Sequence, residues 1–222
     1  MSTAWLSFRL GVARSSQDLH DACAVRAAAY GHHLPQLKAA LAQPDEVDRD
    51  PGTAVLLARD KASGQPIGTA RVQRRAPRSP VELEHDVDLP DWLTARPRAE
   101  VSRLAVMPGA DPALRTMLVK ASFLFCAANQ IRWMVIGARS EALVRIYQRL
   151  GFVDAFEHGN PLPLAHGGGL EHRILALDIV ATERNWFEGR HTLYTTIFET
   201  YHPDVTLFDT PETAQPAERI AA

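Results

Sequence analysis

The apolar positions of this chain switch between helical and strand periods, and the switches outline the fold. Leu19, Cys23, Ala27 and Tyr30, with Arg26 among them, share one helical face over residues 16–30. Ser15 or Ser16 can cap that helix, Asp18 lies in its first turn, and Gly31 ends it. Residues 31–52 are polar and broken by Pro35, Pro44 and Pro51, with room for a short helix at 36–42. This stretch reads as a loop over a site, with His32 and His33 facing solvent. Thr53 to Arg59 is an apolar run that predicts a buried strand; Asp60 to Gly64 is a hairpin turn, and Ile67 to Arg74 the returning strand.

Residues 75–99 are irregular, with prolines at 77, 80, 90 and 97, and a strand over 100–106 follows. Residues 112–129 predict a strongly apolar helix whose buried side carries Leu114, Met117, Leu118, Ala121, Phe125 and Ala128. Ile131 to Ala138 predicts a strand, then a helix over 141–149 capped by Ser140 and closed by Gly151. Two more strands, 152–156 and 172–180, flank a Gly/Pro-rich loop at 159–169. An aromatic-rich helix is expected over 182–201, and the last 13 or so residues are expected to be disordered. The order α, β-hairpin, β, α, β, α, β, β predicts an α/β protein: a mixed central sheet flanked by helices, with a C-terminal helical extension. The division that follows is a main domain over 1–181, an extension over 182–209 and a tail over 210–222.

Composition narrows the class. The 222 residues are 46% hydrophobic and 23% charged, ordinary for a soluble globular protein. No run of about 18 apolar residues suggests a membrane span, and Met1 to Leu10 lacks the basic and apolar regions of a signal peptide. A net charge of −2 argues against a nucleic-acid binder. Lysine occurs only at 38, 61 and 120, so arginine supplies the remaining positive charge, clustered at 71–78 and 96–103. Such a zone can dock an acidic partner or a phosphate. Cys23 and Cys126 have no metal-ligand spacing and read as two buried thiols. The nine histidines show no metal spacing either, and the absence of a Ser-His-Asp or Cys-His set argues against a covalent acyl-enzyme.

The stretch Glu100-Val101-Ser102-Arg103-Leu104-Ala105-Val106 carries the chemistry. Period-2 alternation puts Glu100, Ser102 and Leu104 on one face and Val101 and Arg103 on the other. A carboxylate at a strand end, beside an opening in the sheet, can take a proton from an amine; a neighbouring arginine can hold an anion or orient the acid. A surface ion pair is the structural alternative.

These residues carry a resemblance. Tyr147-Gln-Arg-Leu-Gly151-Phe152 resembles the Y-x-x-x-G-F helix ending of GNAT acyltransferases. Glu100-Val-Ser102-Arg103-Leu-Ala-Val resembles the E-x-S-R-F/L-A-V motif of acyl-homoserine lactone synthases and N-acyl amino acid synthases. Arg26 and Tyr30 on the first helix, Asp45 and Asp48 in the next loop, and Arg71 in a G-x-x-R strand match positions those families keep. The loop Pro108 to Arg115 departs from the glycine-rich pyrophosphate loop of acetyl-CoA-dependent relatives: it has one glycine, two prolines and an aspartate. Leu104, the helix ending, the loop 159–169 and the aromatic tail favour the N-acyl amino acid synthase side.

The resemblance implies transfer of a long-chain fatty acyl group from acyl carrier protein to the α-amine of a small amino acid. No tightly bound cofactor is implied; acyl-phosphopantetheine is the donor, with acyl-CoA as a further option. Glu100 is implied as general base and Tyr147 as acid for the leaving thiolate. Arg26, Asp48, Arg71, Ser102 and Arg103 are implied around the acceptor, with Arg26 able instead to fasten a lid through Asp48. Val101, Leu104, Ala105, Val106, Trp133 and Ile136 are implied along the acyl-pantetheine. No metal is implied. The setting is cytoplasmic, with a lipid product compatible with peripheral membrane contact, and the oligomeric state stays open. Three alternatives stand: a lactone autoinducer synthase using S-adenosylmethionine, an acetyl-CoA-dependent N-acetyltransferase, and a non-catalytic ligand-sensing or interaction domain.

Overall fold

The computed structural model describes residues 2–31 and 34–208. The expectations for His32, His33 and the tail over 210–222 fall outside them. The chain begins with β1 (Ser2–Thr3) and β2 (Phe8–Val12), then α1 (Ser16–Gly31), a 3-10 turn at Pro35–Leu37 and the short α2 (Lys38–Leu41). The hairpin β3 (Thr53–Asp60) and β4 (Pro66–Arg75) follows. The proline-rich connection contains a 3-10 turn at Glu82–His85 and α3 (Asp91–Thr94). Next come β5 (Arg98–Val106), α4 (Ala113–Ala128), β6 (Trp133–Ala138), α5 (Glu141–Arg149) and β7 (Val153–Asp154). The chain continues through β8 (Leu162–Leu164), β9 (Leu170–Asp178), α6 (Ile179–Glu188), a π-helical turn at Thr195–Glu199, β10 (Thr200–Tyr201) and β11 (Val205–Thr206).

The main sheet runs β11-β2-β3-β4-β5-β6-β9-β7, with β8 paired to β9. Side-chain alternation decides what covers each face. Ala54, Leu56 and Ala58 of β3 and Met134, Ile136 and Ala138 of β6 share a core with Leu114, Met117, Leu118 and Ala121 of α4. The opposite face carries Val55 and Leu57 packed with Ala22 of α1. Beyond them Val135 packs with Val81, Leu83 and Leu93 from the proline-rich connection. That connection is thus a second core layer. Cys23 and Cys126 are buried free thiols, as expected.

Three expectations change. Phe8, Leu10 and Val12 alternate with Arg9 and Gly11 in a strand that the sequence reading passed over. The aromatic segment 182–201 is not one helix: α6 ends at Glu188, and the chain then turns before the π-helical turn. Its last part returns to the main sheet, where β11 pairs parallel with β2, after β10 has paired parallel with β1 in a separate two-stranded sheet. Lys120 fixes that return, its ammonium bonded to the Thr196 and Thr200 carbonyls and to His202 Nδ1 at 2.6–3.0 Å. Ala128, expected on the buried side of α4, is exposed. Among the described residues no helix is long and apolar enough to cross a membrane.

Candidate active site at the splay of two parallel strands

β5 and β6 are parallel neighbours only over Arg98–Glu100 and Trp133–Val135. Past Glu100 they diverge, and the β6-facing edge of β5 has no strand partner. Glu100 therefore sits at the apex of a wedge-shaped gap whose walls carry main-chain hydrogen-bonding groups. Tyr30 at the end of α1 donates from its hydroxyl to the Leu104 carbonyl at 2.9 Å, tying the first helix to the open stretch of β5.

A bulge aims the charged side chains. On β4 Thr69 pairs with Ala105 and Arg71 with Ser102, so Arg103 and Leu104 together oppose Ala70 alone. Arg103 takes a left-handed backbone with φ of 55°, which costs a non-glycine residue about 1–2 kcal/mol. The expected alternation breaks here. The Arg103 charge faces the same cluster as Glu100, with Arg71, Glu82, Arg26 and Asp45 as its electrostatic neighbours.

Behind the gap lies a buried ion network. Arg71 is fully buried and holds Asp45 at 2.9 Å, Glu82, and Asp48 at 3.5 Å, while its Nε donates to the Ser102 hydroxyl at 3.2 Å. Arg26 grips both oxygens of Asp48 at 2.8–2.9 Å. Arg71 of β4 and Arg26 of α1 therefore fasten the loop over residues 44–48 to the sheet and to the first helix, and Arg71 has no free fork for a ligand carboxylate. Arg103 differs: among the described residues it has no ion pair, and its buried Nε lacks a hydrogen-bond partner, as do Nε and Nη2 of Arg26.

Glu100 is 2% exposed, and its Oε2 accepts from the Leu83 amide at 2.8 Å. Burial and the neighbouring Glu82 charge push its pKa up to about 7, against the Leu83 amide, Arg71 and Arg103. The imidazole of His166 approaches from the Gly/Pro-rich loop, its Nε2 3.4 Å from Glu100 Oε1 and 4.0 Å from Glu82 Oε2. Burial holds the His166 pKa down at about 4, so the ring is neutral. Glu82, Glu100 and His166 place potential metal donors within 4.8 Å of one another. Arg71 already occupies Glu82 and Arg103 adds a second fixed positive charge, which opposes a cation there.

The cavity in front has a volume of about 370 Å³. Glu100, Val101, Ser102, Arg103, Leu104, Ala105, Val106 and Tyr147 all line it. Its roof is apolar, from Leu34, Leu37 and Leu41. The roof meets the His166 loop at Gly168, whose φ is 77° and where a Cβ would lie 2.7 Å from Leu37 Cδ2. Arg115 and Arg139 stand at the walls.

Two expected acyl-pantetheine residues lie elsewhere. Trp133 sits at the closed end of the β5–β6 pair and packs edge-on against Trp92, with centroids 4.8 Å apart. Ile136 belongs to the core facing α4, because its neighbour Gly137 points the other way and lines the cavity in its place. Part of the basic zone is spent inside the fold: Arg71, Arg75 and Arg98 pair with Glu82, Asp50 and Glu84. The sequence reading missed Glu82 and His166, which lie in segments with no periodicity to flag them.

No protein-family model and no curated protein sequence matches the chain. Solved structures do. FeeM, an N-acyl amino acid synthase from uncultured soil microbes, superposes with a TM-score of 0.60 at 11% identity, covering 85% of this chain and 97% of that one. BjaI, a CoA-dependent acyl-homoserine lactone synthase solved with SAM and isopentyl-CoA, gives 0.55 at 19% identity, covering 88% and 93%. An acyl-CoA N-acyltransferase from Pseudomonas aeruginosa gives 0.53 at 16% identity, covering 76% and 97%. The chain thus has the GNAT-like fold that N-acyl amino acid synthases and acyl-homoserine lactone synthases share.

Proposed function

We propose that the protein is an N-acyltransferase that moves a fatty acyl group from a phosphopantetheine thioester to the α-amine of an amino acid. The observation that carries this reading is Glu100: a buried carboxyl at the apex of the strand splay, its pKa pushed up to about 7 by burial and Glu82, beside an arginine that has no ion pair among the described residues. A base with that pKa can take a proton at neutral pH and give it up again.

In the proposed reaction Arg103 receives the acceptor's carboxylate, which supplies the anion its guanidinium lacks. Glu100 takes a proton from the α-ammonium. The freed nitrogen lone pair attacks the thioester carbonyl, and amide groups on the unpaired edge of β5 receive the developing oxyanion. The C–S bond then breaks, the thiolate leaves, and Glu100 accepts the second nitrogen proton after passing the first to solvent. Burial pushes the Tyr147 hydroxyl up to about 12, well above a thiol near 8.5. Tyr147 therefore serves the leaving thiolate as a hydrogen-bond donor and keeps its proton.

The donor end favours a carrier-protein thioester over CoA. The Asp111 carboxylate accepts from the Ala113 amide at 2.8 Å, so the start of α4 is filled by the chain's own anion. A CoA pyrophosphate would meet that charge, whereas a carrier-bound pantetheine has only one phosphodiester to place, within reach of Arg115 or Arg139. The test is mass spectrometry of lipid extracts from cells expressing the wild type or Glu100→Gln. N-acyl amino acids that disappear in the variant support the reading and name both acceptor and chain length; acyl-homoserine lactones would replace it with the lactone synthase, and no new lipid in either strain would sink it.

A further inference from the structure

We propose that His166 is a positioning residue for Glu100: its Nε2–H donates to Glu100 Oε1, holds the carboxylate toward the cavity and favours its charged form. This rests on Glu100 being the base proposed above, but its test does not depend on turnover.

The geometry has three parts. Glu100 Oε2 is already committed to the Leu83 amide at 2.8 Å, which leaves Oε1 as the oxygen available for chemistry. His166 Nε2 lies 3.4 Å from it, a separation typical of unliganded sites whose hydrogen bonds tighten when substrate arrives. The loop that carries His166 is itself anchored. The Ala165 amide donates to Asp86 at 2.8 Å, and Leu164, 1% exposed, is locked in the core beside it. The three glycines that follow are required there. Gly168 and Gly169 have φ of 77° and 71°, and a Cβ on Gly167 would lie 2.5 Å from the His172 ring.

The charges facing the pair fix the direction of the effect. Arg71 comes from β4, Glu82 from the 3-10 turn, Arg103 from the bulge and Asp45 from the roof loop. Arg26 and Asp48 close the network on the far side, and His172 approaches from β9. Glu82 disfavours a second negative charge at Glu100, and Arg71 is spent on three acids. A neutral imidazole N–H is then the donor left to support the Glu100 carboxylate from the loop side. A donor that bonds the charged form lowers the pKa of a carboxyl.

The experiment reads Glu100 directly. Protein labelled with δ-¹³C glutamate is titrated by NMR, the Glu100 signal being assigned by its loss in Glu100→Gln. His166→Phe keeps the ring's bulk and removes the donor, and should raise the Glu100 midpoint by about one pH unit. His166→Gln keeps an N–H at the Nε2 position and should stay within a few tenths of the wild type. His166→Met serves in place of Phe if the phenyl ring prevents folding. An unchanged or lowered midpoint in the apolar variant overturns the proposal, as does an equal rise in the Gln variant. A raised midpoint together with no acyl transfer by the wild type would leave the positioning role standing and bring down the acyltransferase reading. With transfer present, the acidic limb of the pH–rate profile should move with the NMR midpoint.

Discussion

Arg98 and Arg103 lie on the same strand, five positions apart, and have opposite fates. Arg98 is 1% exposed and complete. Its guanidinium is shared between both oxygens of Glu84 and the carbonyls of Ser79 and Thr94, while Glu84 in turn accepts from the Val81 amide. Nothing in that pair is left over, and it seals the closed end of β5 and β6. Arg103 sits where the strands have parted. It has a strained backbone, an orphaned Nε and other arginines for neighbours. A satisfied buried ion pair gives the fold one arrangement; a half-buried charge without a partner is destabilising until a ligand completes it. Arg71 belongs with Arg98 in this respect, although the sequence motif placed it with Arg103.

The sharpest way to break the comparison is to remove the base beside Arg103. Glu100→Gln should lower kcat by 10²–10⁴-fold, measured as acyl-amino-acid formation by purified enzyme. The same change should stabilise the fold at pH 8. Because the folded pKa of Glu100 is raised to about 7, its stabilising contribution is complete below the unfolded carboxyl value and is lost as pH rises through 7. The variant escapes that loss, so a gain of about 1–3 kcal/mol at pH 8 that vanishes near pH 4 is expected in denaturant titrations. A variant less stable than wild type at pH 8 would contradict the assignment of a strained carboxylate.

Arg71→Met should cost about 3–5 kcal/mol of stability, since it strands buried carboxylates, and should loosen the roof loop to proteolysis. Arg103→Gly should leave stability equal or higher by about 1 kcal/mol, because it relieves the left-handed backbone. It should raise KM for the acceptor by about 10–100-fold through loss of a charge-assisted contact. If the two variants traded these effects, the distinction between sealed and open arginines would be wrong. For the wild type, kcat/KM should rise about tenfold per pH unit below 7 and flatten above it. Tyr147→Phe should have the smallest effect, less than about tenfold, because a thiolate leaves with little help.

Much of this was legible in the chain. The hydrophobic periods located the central strands β3 to β6 and α4, and the Glu-x-Ser-Arg stretch lies on the strand that lines the cavity. What stayed hidden has physical causes. The bulge depends on Arg103 adopting a backbone that residue type rarely adopts, so alternation put its side chain on the wrong face. Glu82 and His166 lie in proline- and glycine-rich segments where position comes from tertiary contacts. Trp133 and Ile136 are on the correct strand, but register alone decides which of its residues face the gap. The strand at Phe8–Val12 is a five-residue alternation that gains its place only from distant partners, β3 on one edge and β11 on the other.

The pairing of β2 with β11 has a consequence for how the molecule is made. The Leu6 amide bonds Asp204 at 2.8 Å across 198 positions of sequence, and Val205 and Thr206 complete the edge beside Leu10 and Gly11. During synthesis β2 must wait with one edge open until nearly two hundred further residues have been added. Contacts this distant slow folding. The sheet that carries the base and its arginines is therefore closed late, and a truncation that removes β11 would reach the yield of folded protein before it reached the chemistry.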